Sequence, residues 1–190
     1  MTLQDQIIRW TMQNSGAESR DYLGMSAIGQ CPRRLYTEQV RGKPWNVQGH
    51  FYCYLGYLFE RDMLARLKSL DPGAIGSPQE FSDFGGRFQG HSDGSWRGDL
   101  LEIKSTTTEK LPEGRMRIPK VHYWQVQTYM HYGHFNRAIV IYIARDTGQL
   151  RVIEIRRNEQ IGELARLKAA SILEAVDLGS PPDCECGWCK

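Results

Sequence analysis

The sequence predicts an α+β fold, and three observations support that prediction. Apolar residues recur at helical spacing in residues 3–14, 50–69 and 158–178. Short segments with strand patterns lie between the second and third of these stretches, and no repeat or low-complexity segment interrupts the order. A length of 190 residues suits one domain with a buried core, so we expect residues 1–190 to form a single domain.

The composition describes a globular protein without a membrane span. Hydrophobic residues make up 41% of the chain and charged residues 24%, and no apolar run approaches the roughly 20 residues that cross a bilayer. Residues 1–10 contain an acid where a secretory signal has its basic region, so we expect a cytoplasmic protein. Because the net charge is only +2, any nucleic-acid-binding surface must be local.

Residues 3–14 read as a short packing helix, and residues 26–36 as a capped segment that runs into a second helix. Pro32 falls in the first turn of that second helix, which places Cys31 at its start. Residues 42–49 are predicted to be a loop before the helix of residues 50–69. The predicted buried side of that helix comprises Tyr54, Tyr57, Leu58, Leu64 and Leu67.

Within this third helix, Gly56 stands one turn before Glu60. The glycine would let the helix approach another backbone closely, and Glu60 could then project toward a metal ion. The alternative is a surface glutamate paired with Arg61.

A small antiparallel sheet is expected next. Residues 71–78 are rich in proline and glycine and predict a loop, and residues 79–84 predict a strand. Gly85 and Gly86 would form a tight turn into residues 87–93.

The sequence is organised around Gly90-His-Ser-Asp93-Gly and the following Leu101-Glu-Ile-Lys104. We predict two strands of one hairpin, with residues 94–98 as the turn and residues 100–107 as the returning strand. Alternation along that strand puts Glu102 and Lys104 on the same face.

This arrangement is typical of a hard-metal site beside a cation. Asp93 and Glu102 would offer carboxylate oxygens, and the backbone carbonyl of Ile103 a third ligand, for Mg²⁺ or Mn²⁺. Lys104 would hold or activate an attacking water and offset transition-state charge, which is the chemistry of phosphodiester hydrolysis. The alternative is an ordinary glutamate–lysine pair on a polar strand face.

Residues 109–120 form a predicted loop whose cations are Arg115, Arg117 and Lys120. We expect these side chains to guide a DNA strand toward the site, with a solvated lid as the alternative. A helix then begins near Lys120, and Gln125 and Tyr129 share one of its faces because they are four residues apart.

The remaining elements are two strands and a helix. Residues 138–144 predict a buried strand, residues 146–149 a hairpin turn and residues 150–155 its partner strand. Residues 158–178 predict the last amphipathic helix. Its apolar positions are Ile161, Leu164, Ala165, Leu167, Ile172, Leu173 and Val176.

Three cysteines, Cys184, Cys186 and Cys189, lie among the last seven residues. Such clustering in a cytoplasmic chain predicts metal binding more than disulfides. Cys31 is the best candidate for a fourth ligand, with Cys53 or a histidine behind it. Iron–sulfur and zinc both remain open, and the alternative is a set of thiols on a frayed terminus.

The chain resembles the RecB-like branch of the PD-(D/E)XK nucleases, and within it the small iron–sulfur exonucleases of the CRISPR-associated and phage kind. Six motifs between residues 26 and 189 carry the resemblance in order. They are Ser26-x4-Cys31-Pro-Arg-Arg, Gly56-x3-Glu60, Gly90-His-Ser-Asp93-Gly, Glu102-Ile-Lys104, Gln125-x3-Tyr129 and the C-terminal cysteine triplet. Many relatives have histidine where this chain has Glu60, and its cysteine spacing C-x-C-x2-C is tighter than theirs.

The resemblance implies a restriction-endonuclease-like core, in which helices flank a central mixed sheet and segments 26–36 and 181–190 are clamped by four cysteines. It implies a [4Fe–4S] cluster on Cys31, Cys184, Cys186 and Cys189, with Zn²⁺ as the alternative. It also implies that Glu60, Asp93 and Glu102 bind Mg²⁺ or Mn²⁺, and that Gln125 and Tyr129 act in the site or contact DNA.

The implied activity is metal-dependent exonuclease action on DNA, with single-stranded ends as the expected substrate and endonuclease activity also open. The setting would be DNA processing, recombination, CRISPR or phage biology in a prokaryotic cell or phage-infected host, with a helicase or integrase as a conceivable partner. The alternative function is a non-catalytic iron–sulfur or zinc subunit that binds nucleic acid within a larger complex.

Overall fold

The computed structural model describes residues 1–15, 20–43, 46–113, 118–184 and 186. Three residues with predicted roles, Arg115, Arg117 and Cys189, lie outside these ranges. Within the described parts of the chain, none of the helices combines the length and the apolar character that a bilayer span needs.

Five α-helices and eight strands form the described fold. The helices are α1 (Leu3–Asn14), α2 (Pro32–Arg41), α3 (Val47–Leu70), α4 (Lys120–Gly133) and α5 (Glu159–Leu178). The strands are β1 (Leu23–Gly24), β2 (Ile75–Gly76), β3 (Glu80–Asp83), β4 (Phe88–His91), β5 (Gly94–Trp96), β6 (Asp99–Thr106), β7 (Arg137–Ala144) and β8 (Leu150–Arg156).

The larger sheet has five strands in the order β2-β5-β6-β7-β8. Strands β6 and β7 are parallel, and the other neighbouring pairs are antiparallel. The chain between β6 and β7 contains α4, as expected for a parallel crossover. The predicted α+β fold, with a mixed sheet flanked by helices, is confirmed.

Each face of this sheet packs against different helices. Leu100, Val140 and Tyr142 face a core that includes residues of α4 and α5. Leu101 and Ile103, which alternate with Leu100 along the chain, face a second core containing Met63 of α3. Glu102 and Lys104 therefore share the face of β6 that looks toward α4.

The predicted hairpin forms, but its first strand was assigned wrongly. Strand β4, which contains Gly90, belongs to a separate three-stranded sheet of order β1-β4-β3. The partner of β6 is β5, which the prediction assigned to the turn. Arg97 and Gly98 alone make the turn, because both adopt positive φ (51° and 86°), as two-residue hairpins require.

Asp93 consequently lies in the segment that crosses from one sheet to the other. Ser92 fixes this crossing: its amide donates to the Gln79 carbonyl (2.9 Å), and its hydroxyl accepts from the Gln79 amide (3.0 Å). The crossing brings Asp93 to the edge of β6, although it is not on the strand that pairs with β6.

Helix α3 begins earlier than predicted, at Val47, so the predicted loop of residues 42–49 is too long. Asn46 caps the helix, since its side-chain oxygen accepts a hydrogen bond from the Gly49 amide at 2.8 Å. The predicted buried side is also partly wrong, because Tyr57 and Leu58 are exposed. They line an open cleft and do not face the core.

Helix α5 matches its predicted range to one residue, but Leu164 and Leu167 are exposed. The predicted positions Ala165, Ile172 and Leu173 are buried, and Ala169 is buried as well. The two alanines let α5 pack closely on the core next to α4.

Candidate active site

One cleft contains most of the predicted catalytic residues. It has a volume of about 920 Å³, with β6 as its floor and α1 and α3 as its wall. The predicted residues that line it are Glu60, Asp93, Glu102, Ile103 and Lys104. Residues that were distant in the sequence, on α3, the sheet crossing and β6, are thus brought together.

Glu102 is the most deeply buried of these side chains, with 2% of its surface exposed. Its Oε1 atom accepts hydrogen bonds from Lys104 Nζ at 2.5 Å and from Gln125 Nε2 at 2.7 Å. Gln125 Nε2 also lies 3.3 Å from the Tyr129 hydroxyl. The predicted α4 pair therefore supports Glu102 from behind and does not itself line the cleft.

The second carboxylate oxygen of Glu102, Oε2, is buried and has no hydrogen-bond partner among the described residues. A buried carboxylate oxygen without a partner is costly, because it has lost water without compensation. The donor set around it consists of carboxylates, the ligands that Mg²⁺ and Mn²⁺ prefer. The site therefore fits a hard divalent cation.

Asp93 is held against β6 by the backbone. Its Oδ2 accepts a hydrogen bond from the Ile103 amide at 2.6 Å. Burial, and then the negative charge of Glu102, raise the pKa of Asp93 well above its usual value, although Lys104 and the Ile103 amide act in the opposite direction.

Glu60 enters the cleft from α3. Burial, followed by the charge of Glu102, raises the pKa of Glu60. The close backbone approach predicted at Gly56 is not found: a Cβ there would meet only Ser105 Oγ, at 3.8 Å.

The carboxylates of Glu60, Asp93 and Glu102 are more widely spaced than the ligands of a bound ion. Among the described residues, only three cysteines form a group of acidic, histidine or cysteine ligand atoms that all lie within 4.8 Å of one another. The charge of Glu102 disfavours ionisation of both Glu60 and Asp93, which shows that the three acids repel one another as anions. A cation between them would remove that repulsion.

Lys104 remains a cation in this environment. Burial would lower the pKa of Lys104, but Glu102, Asp93 and Glu60 together raise it above the usual value. Its side chain keeps 23% of its surface exposed, so the ammonium group can reach a molecule in the cleft.

His122 and Tyr142 lie behind Lys104. His122 Nδ1 is 2.9 Å from the Tyr142 hydroxyl, and Tyr142 is opposite Lys104 in the β6–β7 register. Burial, and then the charge of Lys104, lower the pKa of His122 to about 4. His122 is therefore neutral at physiological pH.

A second candidate metal site joins the two ends of the chain. The sulfur atoms of Cys31 and Cys184 are 3.6 Å apart, and those of Cys184 and Cys186 are 3.1 Å apart. Cys31 caps α2, with Pro32 in the first turn, as predicted. The predicted meeting of the N-terminal and C-terminal cysteines is thus found for these three, while Cys189 lies outside the described residues and Cys53 is not in the group.

Of the predicted DNA-guiding cations, only Lys120 is described. It is exposed at the start of α4, and its Nζ lies 5.9 Å from the centre of the Trp124 ring. Lys168 Nζ lies 5.2 Å from the centre of the same Trp124 ring, and it donates a hydrogen bond to the carbonyl of Gln30, the residue before Cys31. Lys120 is thus near the cysteines and is not a lining residue of the cleft.

The side chains that line the cleft and that the sequence reasoning did not assign to it include Trp10, Arg20, Tyr57 and Arg61. A signal existed for two of them, because Tyr57 and Arg61 are neighbours of Glu60 on α3 and are four residues apart. Trp10 is brought in by the packing of α1 on α3, which the local pattern does not reveal.

No protein-family model and no curated protein sequence matches the chain. Solved structures do match. The crystal structure of SSO0001 aligns with a TM-score of 0.62 and 19% identity, over 100% of this chain and 94% of that one. The alkaline exonuclease LHK-Exo from Laribacter hongkongensis aligns with a TM-score of 0.61 and 15% identity, over 92% and 93%.

A phage-related exonuclease from Haemophilus somnus 129PT aligns with a TM-score of 0.59 and 12% identity, over 77% of this chain and 79% of that one. Similarity at sequence identities this low shows a shared fold only. The chain therefore shares the fold of an alkaline exonuclease and a phage-related exonuclease.

Proposed function

We propose that the protein is a Mg²⁺- or Mn²⁺-dependent deoxyribonuclease that removes nucleotides from DNA ends, with single strands as its main substrate. The observation that carries the proposal is the convergence of Glu60, Asp93, Glu102 and Lys104 in one cleft, on a fold shared with exonucleases. We assign this activity to one domain, residues 1–190.

The proposed ligands of the divalent ion are Glu60, Asp93, Glu102 and the backbone carbonyl of Ile103. The unpartnered Oε2 atom of Glu102 supports this assignment, because a cation would supply its missing partner. A bound ion would polarise the scissile phosphodiester and acidify an attacking water.

Each protein group then has a role that follows from its position. Lys104, as a cation, would hold the attacking water and offset negative charge that builds up on the phosphoryl oxygens. Gln125 and Tyr129 would keep Glu102 oriented, since Gln125 donates to the carboxylate and also lies next to the Tyr129 hydroxyl.

The second proposed cofactor is a metal centre on Cys31, Cys184, Cys186 and Cys189. The family resemblance favours a [4Fe–4S] cluster. The three described cysteines bring their sulfur atoms together, and thiolates bind both iron–sulfur clusters and Zn²⁺, so Zn²⁺ is the alternative. Absorption at about 400 nm in protein purified without oxygen separates the two, since zinc is silent there.

The proposed family is the RecB-like PD-(D/E)XK group of small iron–sulfur exonucleases, with DNA as the partner and Arg115, Arg117 and Lys120 as strand-guiding cations. A role with a helicase or integrase in recombination, CRISPR or phage DNA processing belongs to the same proposal.

The test is digestion of end-labelled linear and circular single-stranded DNA with Mn²⁺, by the parent chain and by Lys104→Ala. We expect loss of the linear substrate only, and no loss with Lys104→Ala. Arg66→Ala is a matched control, since Arg66 lies on the surface of α3 and pairs with Asp62. If the linear DNA survives, or if Lys104→Ala digests it as well as the parent does, the nuclease proposal is wrong and a non-catalytic binding subunit becomes the account to test.

A further inference from the structure

The wall of the cleft, formed by α1, α3 and the segment around Arg20, carries exposed aromatic and basic side chains. Trp10 and Tyr57 line this wall and are 51% and 50% exposed. Arg20 and Arg61 line it as well and are also exposed. Among the described residues, neither arginine forms an ion pair.

The Trp10 ring is held in place by a neighbouring ring. Trp10 meets the ring of Tyr54 edge to face, with centroids 5.5 Å apart and an interplanar angle of 86°. The Trp10 carbonyl accepts a hydrogen bond from Asn14 at 2.8 Å, and α1 packs along α3. An exposed ring fixed in this way loses little conformational freedom when another ring stacks on it.

The two arginines carry the charge opposite to that of the three carboxylates in the cleft, which are Glu60 on α3 and Asp93 and Glu102 at the floor. Three carboxylates beside the proposed scissile bond would repel a polyanionic ligand, whereas two arginines on the wall would attract its phosphates. Aromatic faces with interleaved cations are how proteins bind unpaired nucleic acid, because every base offers a flat surface for stacking. A duplex keeps its bases stacked on one another and gains little from such a wall.

We propose that this α1–α3 wall, defined by Trp10, Tyr57, Arg20 and Arg61, binds a single DNA strand and delivers its end to the acidic floor. Bases stack on Trp10 and Tyr57, and phosphates pair with Arg20 and Arg61. The inference rests on the proposed nuclease function and extends it, because it assigns strand preference to residues other than the proposed strand-guiding cations.

The test measures affinity for a fluorescein-labelled single-stranded oligonucleotide by anisotropy, without a divalent ion, so that hydrolysis does not contribute. Trp10→Ala and Tyr57→Ala are each expected to raise Kd by about tenfold, and blunt duplex binding should stay unchanged. Phe51→Ala is the matched control, because Phe51 is 48% exposed on the same helix as Tyr57 but does not line the cleft. Its Kd should equal that of the parent.

Two further readouts separate stacking from a general loss of structure. Trp10→Phe should keep the affinity, since phenylalanine also stacks, but should lose part of the tryptophan quenching that the parent shows on binding. Arg20→Gln and Arg61→Gln should each lower the slope of log Kd against log salt by about 0.7, the value for one phosphate contact on a single strand.

The inference is overturned if Trp10→Ala and Tyr57→Ala bind the single strand as Phe51→Ala does, or if duplex binding falls by the same factor. These outcomes are distinguishable from failure of the nuclease proposal, which is read from digestion with Mn²⁺. If the parent digests DNA but Trp10→Ala and Tyr57→Ala bind the single strand normally, only the proposal for the wall is refuted. If the parent does not digest DNA but the two variants lose affinity as expected, only the nuclease proposal is refuted.

Discussion

Gln125 is buried and donates to the carboxylate at the centre of the cleft, so its removal should affect stability and activity together. The side chain is 3% exposed and lies 2.7 Å from Glu102 Oε1. A hydrogen bond to a charged group contributes about 1.5–3 kcal/mol. Among the described residues, Gln125→Ala would also leave Lys104 as the one remaining donor to Glu102. We expect the free energy of unfolding to fall by about 2–3 kcal/mol.

The chain offers a matched control two residues further along α4. Gln127 is fully buried, donates to the Arg156 carbonyl at 2.9 Å and accepts from the Asn158 amide at 2.7 Å. Its loss removes two hydrogen bonds of about 1 kcal/mol each and leaves the Asn158 amide and the Arg156 carbonyl without these partners. Gln127→Ala should therefore cost about as much stability as Gln125→Ala, at a position away from the cleft.

Activity separates the two variants. Removing a group that orients a metal ligand costs about 10- to 100-fold in metal affinity or activity, so kcat/KM for Gln125→Ala should fall by that factor and its half-saturating Mn²⁺ concentration should rise. Gln127→Ala should retain parent values well below its Tm. Urea denaturation and single-strand digestion provide the two measurements. Equal activities for the two variants would refute the view that Gln125 acts through Glu102.

Three further predictions concern pH, the cysteines and a glycine. The pKa of His122 falls from 6.5 to about 4 on folding, so the folded state binds this proton only at lower pH. The contribution of His122 to the free energy of unfolding should therefore be full above pH 6.5 and should decrease by about 3 kcal/mol toward pH 4. Urea denaturation of the parent and of His122→Gln across this pH range measures that contribution as the difference between the two proteins. Cys31→Ser should abolish bound iron or zinc and lower Tm by more than about 5 °C, whereas Cys53→Ser should keep the metal. Elemental analysis measures the metal content, and equal contents in the two variants would contradict the four-cysteine centre. Gly90→Ala would place a Cβ atom 2.7 Å from the Tyr129 ring, and it should lower the free energy of unfolding by about 2 kcal/mol as measured by urea denaturation. Gly56→Ala places its Cβ atom in open space and should be neutral or stabilising. The reverse order of the two stabilities would contradict the packing at Gly90.

Local periodicity was enough to predict the parts of the site that lie on single elements. Alternation along β6 placed Glu102 and Lys104 on one face, and the spacing of Gln125 and Tyr129 placed both on one side of α4. Glu60 was predicted from its motif, and its side chain lines the cleft.

The features that failed depend on long-range pairing. The sequence around Gly90 reads as a continuous strand into Asp93, but whether it pairs with β6 or with β3 is decided by contacts with distant residues, such as the Gln79 backbone. Tyr57 was predicted to lie on the buried side of an aromatic-rich helix, but α3 lines an open cleft at this point and leaves Tyr57 half exposed.

The central claim is that Glu102 and its acidic neighbours hold a divalent ion, and Mn²⁺ titration of the metal-free protein by calorimetry tests it most directly. We predict binding that Glu102→Gln abolishes and that Glu154→Gln leaves unchanged, because Glu154 is an exposed acid paired with Arg137. Bound Mn²⁺ at 100 times its Kd should also stabilise the parent by about 2.7 kcal/mol. Equal binding by Glu102→Gln and the parent would contradict the account.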